Sequence, residues 1–271
     1  NQTYCQYFPS MRYFYTMKKS LSFILVLNLL INVNSYAQDT TIKPYVVAGN
    51  FGITNNGISI IPTFSLKDPA FNFTGSLSRG GRFSLDPDVR LTFDGRKGGA
   101  MLWFRYKMIE GKKFHFRVGA HPAFNFALKT IKEGNKSWNI TQARRFVATE
   151  LAPSFTVSKN LSFGAYYLHG NGLQTDGPIS THFVNFITSF SGIKLGENHL
   201  LAFSPQVYYL QIDREDGFYL TGNVVLASKK SPFSLMYLYN KEIRTNITGS
   251  KNLDWNVTLM YNFNKSFRRL N

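Results

Sequence analysis

Apolar and polar residues alternate along most of this chain with the two-residue period of a β-strand. From Leu253 to Phe263 the positions Leu253, Trp255, Val257, Leu259, Tyr261 and Phe263 are apolar or aromatic. Asp254, Asn256, Thr258 and Asn262 lie between them, with Met260 the exception. Over 82–93, Phe83, Leu85, Val89, Leu91 and Phe93 oppose Arg82, Ser84, Asp86, Asp88, Arg90 and Thr92. Over 113–128, Phe114, Phe116, Val118, Phe124 and Phe126 oppose His115, Arg117, His121 and Asn125. Each run has an oily face and a wet face. A soluble sheet buries the oily face, whereas a transmembrane barrel turns it outward to lipid.

Turn signals such as Asn56-Gly57, Asp94-Gly95, Glu110-Gly111, Lys159-Asn160 and Asp216-Gly217 recur about every 10 to 17 residues. They predict strands near 58–66, 70–78, 82–93, 99–109, 113–128, 141–157, 161–170, 180–194, 199–212, 217–228, 233–242 and 253–263. Long connections at 129–140, 171–179 and 243–252 alternate with short ones at 158–160, 195–198 and 229–232. Long loops outside and short turns in the periplasm are the habit of outer-membrane barrels. The expected fold is therefore all-β, a transmembrane antiparallel up-and-down barrel of about twelve strands over 58–263, with fourteen as the alternative. Residues 38–57 then form a periplasmic or lumen-inserted segment, and 264–271 a tail.

The start of the chain supplies an address. Met17-Lys18-Lys19 is followed by an apolar run from Leu21 to Ile31 and by Ser35-Tyr36-Ala37. This is the layout of a secretory signal over 17–37, cleaved before Gln38. The apolar run is shorter than the about 20 residues that a spanning helix needs. Residues 1–16 read as an upstream extension foreign to the mature protein. They hold Cys5, the only cysteine, so the mature chain has no disulfide or thiolate metal site. The net charge of +16 includes Arg12, Lys18 and Lys19, and no acid precedes residue 38, so +13 remains. For an exported chain this favours anionic lipid or anionic solutes over nucleic acid.

The oily set is too large and aromatic-rich for one lipocalin-like cavity. It suits a lipid-facing band with interfacial Tyr and Trp. With the leader, the alternation and a final strand running from Trp255 through Tyr261 and Phe263, the chain resembles the outer-membrane β-barrel proteins of Gram-negative bacteria over 58–263. The resemblance is architectural. It implies a bilayer rich in lipopolysaccharide, a barrel-insertion machinery that reads the last strand, and residence in the outer membrane. Eight residues follow Phe263, among them Phe267, which departs from the usual terminal aromatic.

Candidate chemistry lies on the wet face. Arg82, Asp86, Asp88, Arg90, Arg105, Lys107, His115, Arg117, His121, Arg144, Glu150 and Asp254 share inward parity. Two arrangements fit. Arg90, Arg105, Arg117 and Arg144 form a cationic strip that guides anions through a pore, or they pair with the carboxylates and stiffen a closed lumen. Trp103, Phe146, Tyr166, Tyr208 and Tyr219 narrow either one. His115 and His121 lie about 20 Å apart along a strand and cannot share a metal. Pro62, Pro87, Pro122, Pro153 and Pro205 lack the N–H that a ladder needs and are expected at bulges or strand ends, mostly in the periplasmic half. A membrane-embedded lipid hydrolase is the enzymatic alternative. The stretch Tyr167 to Gly172 offers His169 but no serine two residues beyond it, so no triad forms within it. No cofactor motif is present. The leading expectation is a small passive channel for anionic or polar solutes. A closed structural or binding barrel is the first alternative and the lipid hydrolase the second.

Overall fold

Each strand of this protein finds a partner on both sides, because the first closes on the last. The computed structural model describes residues 44–175 and 177–267. The expected leader, the upstream extension, residues 38–43 and the chain beyond 267 lie outside the described residues. Among those described, twelve strands are β1 (Tyr45–Thr54), β2 (Ala70–Arg79), β3 (Phe83–Thr92), β4 (Gly98–Glu110), β5 (Phe114–Glu133), β6 (Lys136–Ser158), β7 (Leu161–Gly172), β8 (Ser180–Leu195), β9 (His199–Ile212), β10 (Glu215–Ser228), β11 (Phe233–Thr245) and β12 (Leu253–Phe267). They follow one another in order, and β1 pairs antiparallel with both β2 and β12. Closure leaves no unpaired edge, the condition for a sheet to cross a bilayer.

The membership of the barrel differs from expectation at both ends. The first strand is 45–54, not 58–66, so the expected periplasmic or lumen segment supplies wall. The last strand runs past Phe263 to Phe267, which pairs with Tyr45. The terminal aromatic thus belongs to the closing ladder rather than to a tail. Likewise 129–140 is not a long loop. β5 and β6 continue to a two-residue turn, with Glu133 opposite Lys136 and a positive φ at Gly134. Neither β4 nor β7 follows them so far, so this ribbon projects beyond the barrel rim.

Parity sorts the side chains as the alternation predicts. Phe51, Phe71, Phe83, Phe124, Phe186, Val207, Leu235 and Leu259 point outward and are exposed. Tyr208, Tyr219, Thr221, Glu150, Asn256 and Thr258 point inward and are buried. An apolar surface of this extent marks a face made for lipid.

Four of the five prolines share one device. Pro87, Pro122, Pro153 and Pro205 each pair regularly with one neighbour, opposite Leu102, Val147, Phe116 and Gly222. On the other side of each, the ladder skips two pairs and resumes in the same register. A proline has no N–H to give on that side. These sites are interruptions rather than the expected bulges. The register shifts lie elsewhere, at Lys107/Ile109, Thr156/Ser158, Phe190/Ile193 and Phe218/Tyr219. Pro62 is not in a strand. It opens the 3-10 turn Pro62–Phe64.

That turn belongs to segment 55–69, between β1 and β2, which folds into the lumen. Its neck closes where Leu66 N–H donates to the Gly57 carbonyl at 3.0 Å. Gly57 has φ +51°, and a Cβ there would meet Leu66 and Ala70 at 3.1 and 3.2 Å. Ile58 and Leu66 are buried. Ile60 and Ile61 pack on Phe183, Tyr208, Leu210, Ile212, Tyr219 and Ile247. The run 58–66 is therefore apolar because it fills the barrel, not because it forms its wall.

Candidate functional site

The lumen has two unlike walls. On the wall built by β3 to β7, charge is concentrated and paired. Glu150 on β6 has a fully buried side chain. Arg105 on β4 grips it twice, with Nε 2.9 Å from Oε1 and Nη2 3.3 Å from Oε2. The third arm of the guanidinium donates to Asp86 Oδ2 on β3 at 2.9 Å. Asp86 is held in turn by the hydroxyls of Ser76 and Ser84, at 2.7 and 3.2 Å. Tyr166 on β7 donates its hydroxyl to Glu150 Oε2 at 2.9 Å. Arg117 on β5 brings Nε within 3.1 Å of Glu150 Oε1. That N–H makes no hydrogen bond, so the contact is one of charge alone. Two arginines thus neutralise two carboxylates, and a buried charge needs such compensation.

Small and flat residues make room for this network. Gly119 faces Glu150 across the β5–β6 ladder. A Cβ on it would lie 3.0 Å from Glu150 Oε1 and 3.1 Å from Arg105 Cγ. Trp103 lies under the Arg105 guanidinium at 4.3 Å, a cation–π contact, and packs on His121 with ring centres 3.9 Å apart.

Between this layer and the short turns lies a cavity of about 370 Å³. Lys107, His115, Arg117, Ser154, Tyr166 and Ser189 are among its lining residues, and Glu110 is the acid at its rim. Lys107 reaches Glu110 at 2.7 Å. The cavity stops at the Arg105–Glu150–Tyr166 layer.

The opposite wall, β8 to β12, carries no such ion network among the described residues. Neutral groups bond one another, although Asn185 Oδ1 and Asn256 Oδ1 are buried without a hydrogen-bond partner. Asn185 donates to Gln206 at 2.7 Å, and Asn256 to Thr54 at 2.6 Å. Tyr208 and Tyr219 stack with ring centres 4.7 Å apart. Tyr208 donates to the Ile60 carbonyl at 2.6 Å, and Asn240 approaches the same oxygen at 3.4 Å. Segment 55–69 is pinned further by Asn56 to Asp254 at 2.9 Å and by Lys67 to the Gly249 carbonyl at 2.9 Å. Lys97 adds contacts to Asp68 and the Leu66 carbonyl.

The predicted inward residues therefore divide. Asp86, Arg105, Arg117 and Glu150 converge. Arg90 pairs with Asp88 at 3.4 Å on the same wall. Arg144 does not join them. It lies at the loop end, where its Nη2 donates to Gln142 at 3.4 Å and where a Cβ on Gly177 would meet its Nε at 2.8 Å. Arg82 is at the rim of the short turns and donates to the Met108 carbonyl at 3.4 Å. Asp254 binds Asn56 and lies 4.0 Å from Lys251. In place of an unbroken strip of four arginines, acids and bases alternate. Parity named the face but not the depth. The lumen segment 55–69 and the anchoring role of Tyr208 were missed. The run Ile58–Leu66 alternates like a strand, with Ile61 the one apolar residue on its polar parity, and its only contrary signal was Pro62.

No protein-family model and no curated protein matches the chain. Solved structures do. A KdgM porin in complex with disordered oligogalacturonate is 12% identical, at a TM-score of 0.47, and the match covers 80% of this chain and 99% of that one. A NanC porin is 12% identical at 0.48, over 83% and 100%. The β domain of the Bordetella autotransporter BrkA is 12% identical at 0.45, over 82% and 98%. The barrel assignment for this chain rests on the strand pairing described above.

Proposed function

We propose that this protein is an outer-membrane barrel that admits small anionic or polar solutes through a narrow and largely closed lumen. The vestibule at the short-turn end carries the reading. It is a cavity of about 370 Å³ lined by Lys107, His115 and Arg117, with Glu110 as its acid. A confined cationic lining raises the local concentration of anions, an effect that salt screens over about 8–10 Å. The exposed apolar band supports placement in a bilayer, and the short turns, on the same rim as the start of β1 and the end of β12, support a periplasmic mouth. In this reading two elements hold the lumen nearly shut. One is the Arg105–Glu150–Tyr166 layer, and the other is segment 55–69.

Planar-bilayer recording tests it. The expected result is a small conductance whose reversal potential favours anions at low salt and loses that preference at high salt. Arg117→Ser should weaken the preference, and loosening segment 55–69 should raise the conductance. A second reading, a sealed structural barrel, is favoured by the completeness of the Asp86–Arg105–Glu150 pairing. A barrel that stays silent with segment 55–69 loosened overturns the channel.

A further inference from the structure

The outer wall holds a second cluster, on the face turned away from the lumen. On β7 the inward residues are Tyr166 and Leu168, so Tyr167, His169 and Asn171 face outward. On β8 the inward residues are Thr181, Phe183 and Asn185, all buried, so Ser180, His182 and Phe186 face outward, with Phe186 63% exposed. The ladder sets Asn171 opposite Ser180 and His169 opposite His182. All four residues adjoin the loop 173–179, at the end opposite the short turns.

Their contacts form a string. The Tyr167 hydroxyl lies 2.9 Å from His182 Nδ1. The other ring nitrogen, Nε2, lies 3.4 Å from Ser180 Oγ. The His169 ring stacks on His182 with centres 4.5 Å apart and an interplanar angle of 25°. Asn171 Nδ2 meets His169 Nε2 at 3.1 Å, and His169 Nδ1 is buried without a protein partner. Ser180 itself is clamped through its backbone. Its N–H donates to Asp213 Oδ1 and its carbonyl accepts from Asp213 N–H, both at 2.8 Å. Asp213 adopts φ +53° to do this. A serine whose main chain is fixed, beside an imidazole held from behind by a third group and from above by another ring, has the parts of an activated nucleophile. The 3.4 Å separation is long for a hydrogen bond, and such contacts shorten when substrate is bound.

We infer that Ser180, His182 and Tyr167 form a catalytic site for carboxylic esters of lipid acyl chains, open to the bilayer rather than to the lumen. This rests on the bilayer-spanning reading but not on the channel. With the Tyr167 oxygen accepting from Nδ1–H, His182 Nε2 keeps its lone pair toward Ser180 Oγ–H. Ser180 Oγ attacks the ester carbonyl carbon, and its proton passes to Nε2. The C–O bond to the alcohol breaks, and the leaving alkoxide takes that proton. Water, activated by the same nitrogen, then hydrolyses the acyl-serine to free acid and serine. Asn171, directly across the ladder, presents an amide NH₂ on the same face to the developing oxyanion. Substrate class follows from surroundings. Leu173 and Ile179 are exposed apolar residues of the flanking loop, and Phe186 continues the apolar surface below. An acyl chain lying against this apolar wall brings its ester to the rim. Tyr167 is a positioning residue, since it acts through His182.

The test uses the full chain folded in detergent, with p-nitrophenyl palmitate in mixed micelles and a fluorophosphonate label. The wild type should hydrolyse the palmitoyl ester much faster than p-nitrophenyl acetate and should take up label. Ser180→Ala should abolish labelling, and both Ser180→Ala and His182→Asn should lower hydrolysis at least 100-fold. Ser180→Cys should restore part of the hydrolysis. Tyr167→Phe should lower kcat several-fold at unchanged KM, which a loss of packing alone would not do. Resistance of the folded band to cold SDS checks each variant. Flotation with phospholipid vesicles reports separately on the bilayer reading. A chain that floats but neither labels nor hydrolyses overturns the site, as does labelling that survives in Ser180→Ala. A chain that fails to float overturns both readings.

Discussion

The two walls of the lumen solve the same problem with different chemistry. Both lie inside a sheet whose outer face is committed to lipid, so both must satisfy polar groups without bulk water. The β3–β7 wall does so with charge. Glu150 accepts from Arg105 twice and from Tyr166 once, with Arg117 alongside. The β8–β12 wall uses neutral amides, hydroxyls and stacked tyrosines, and an inserted apolar segment, 55–69, takes up its remaining surface. The difference teaches where rigidity and mobility belong. A charged network is all or nothing, because one deleted member strands another. Segment 55–69 is held by hydrogen bonds, by the Lys97–Asp68 pair and by packing of Ile60, Ile61 and Phe64, none of which belongs to the backbone ladder of the wall, so it can move and leave that wall intact. On the proposed channel reading the first wall acts as a fixed constriction and the second as a gate.

Removing the centre of the charged wall should have the largest effect. Glu150→Ala leaves Arg105 with Asp86 alone and removes the carboxylate that Arg117 pairs with. Breaking a buried pair from one side costs about 3–5 kcal/mol, read as a fall in the urea midpoint of the barrel refolded in vesicles. A loss under about 1 kcal/mol would mean that water reaches the network and that the wall behaves as a surface.

The opposite wall should respond in conductance first. Ile60→Ala with Ile61→Ala removes the side chains that seat segment 55–69 on Tyr208 and Tyr219. These side chains are only partly buried, so the pair should cost about 2–3 kcal/mol, below the range for fully buried isoleucines. Protease nicking within 58–66 should appear and bilayer current should rise, while Glu150→Ala should leave 58–66 resistant to protease and raise current less. Equal effects of both variants on current would erase the distinction between constriction and gate.

Strand number and facing were legible in the sequence because a period of two needs only local composition. Phe124 outward and Asn256 inward follow from it. Which runs form the barrel was less legible. Tyr45–Thr54 and Ile58–Leu66 both look strand-like, and an even count permits either as the first strand. The deciding facts were tertiary. Tyr45 pairs with Phe267, and Ile60 meets Tyr208 across the lumen. The site was half legible for a related reason. Parity places twelve charged or histidine side chains on one face, but their depth depends on strand stagger. Stagger brings Arg105, Arg117 and Glu150 together and sends Arg82, Arg144 and Asp254 to the ends. The outward pair Ser180 and His182 could be seen as Ser-x-His, but its partners Tyr167 and His169 come from the next strand in the ladder.

Gly119→Val sharpens the claim that the charged wall is rigid. The added carbons meet the Glu150 carboxylate and the Arg105 stem at close to 3.0 Å. Overpacking of this kind costs about 1–3 kcal/mol. If the network were free to shift, the cost would vanish. The same unfolding measurement decides it.

The smallest effect makes the cleanest comparison, because one oxygen atom is deleted from each wall. Tyr166→Phe takes a donor from Glu150 Oε2, yet Arg105 Nη2 still reaches that oxygen at 3.3 Å. Tyr208→Phe takes the 2.6 Å donor from the Ile60 carbonyl and leaves only the Asn240 amide, at 3.4 Å. A hydrogen bond contributes about 0.5–1.5 kcal/mol net, and a buried acceptor left without a partner costs about 1–3 kcal/mol. Tyr166→Phe should therefore fall at the low end, near 0.5 kcal/mol, because its acceptor keeps a charged partner. Tyr208→Phe should cost more, about 1–2 kcal/mol, because its acceptor is nearly stranded. The readouts should also separate. Tyr208→Phe should raise the frequency of brief openings and the rate of cleavage within 58–66. Tyr166→Phe should leave both unchanged and alter only the unfolding midpoint. If Tyr166→Phe also raises current, the charged layer itself opens and the gate spans both walls.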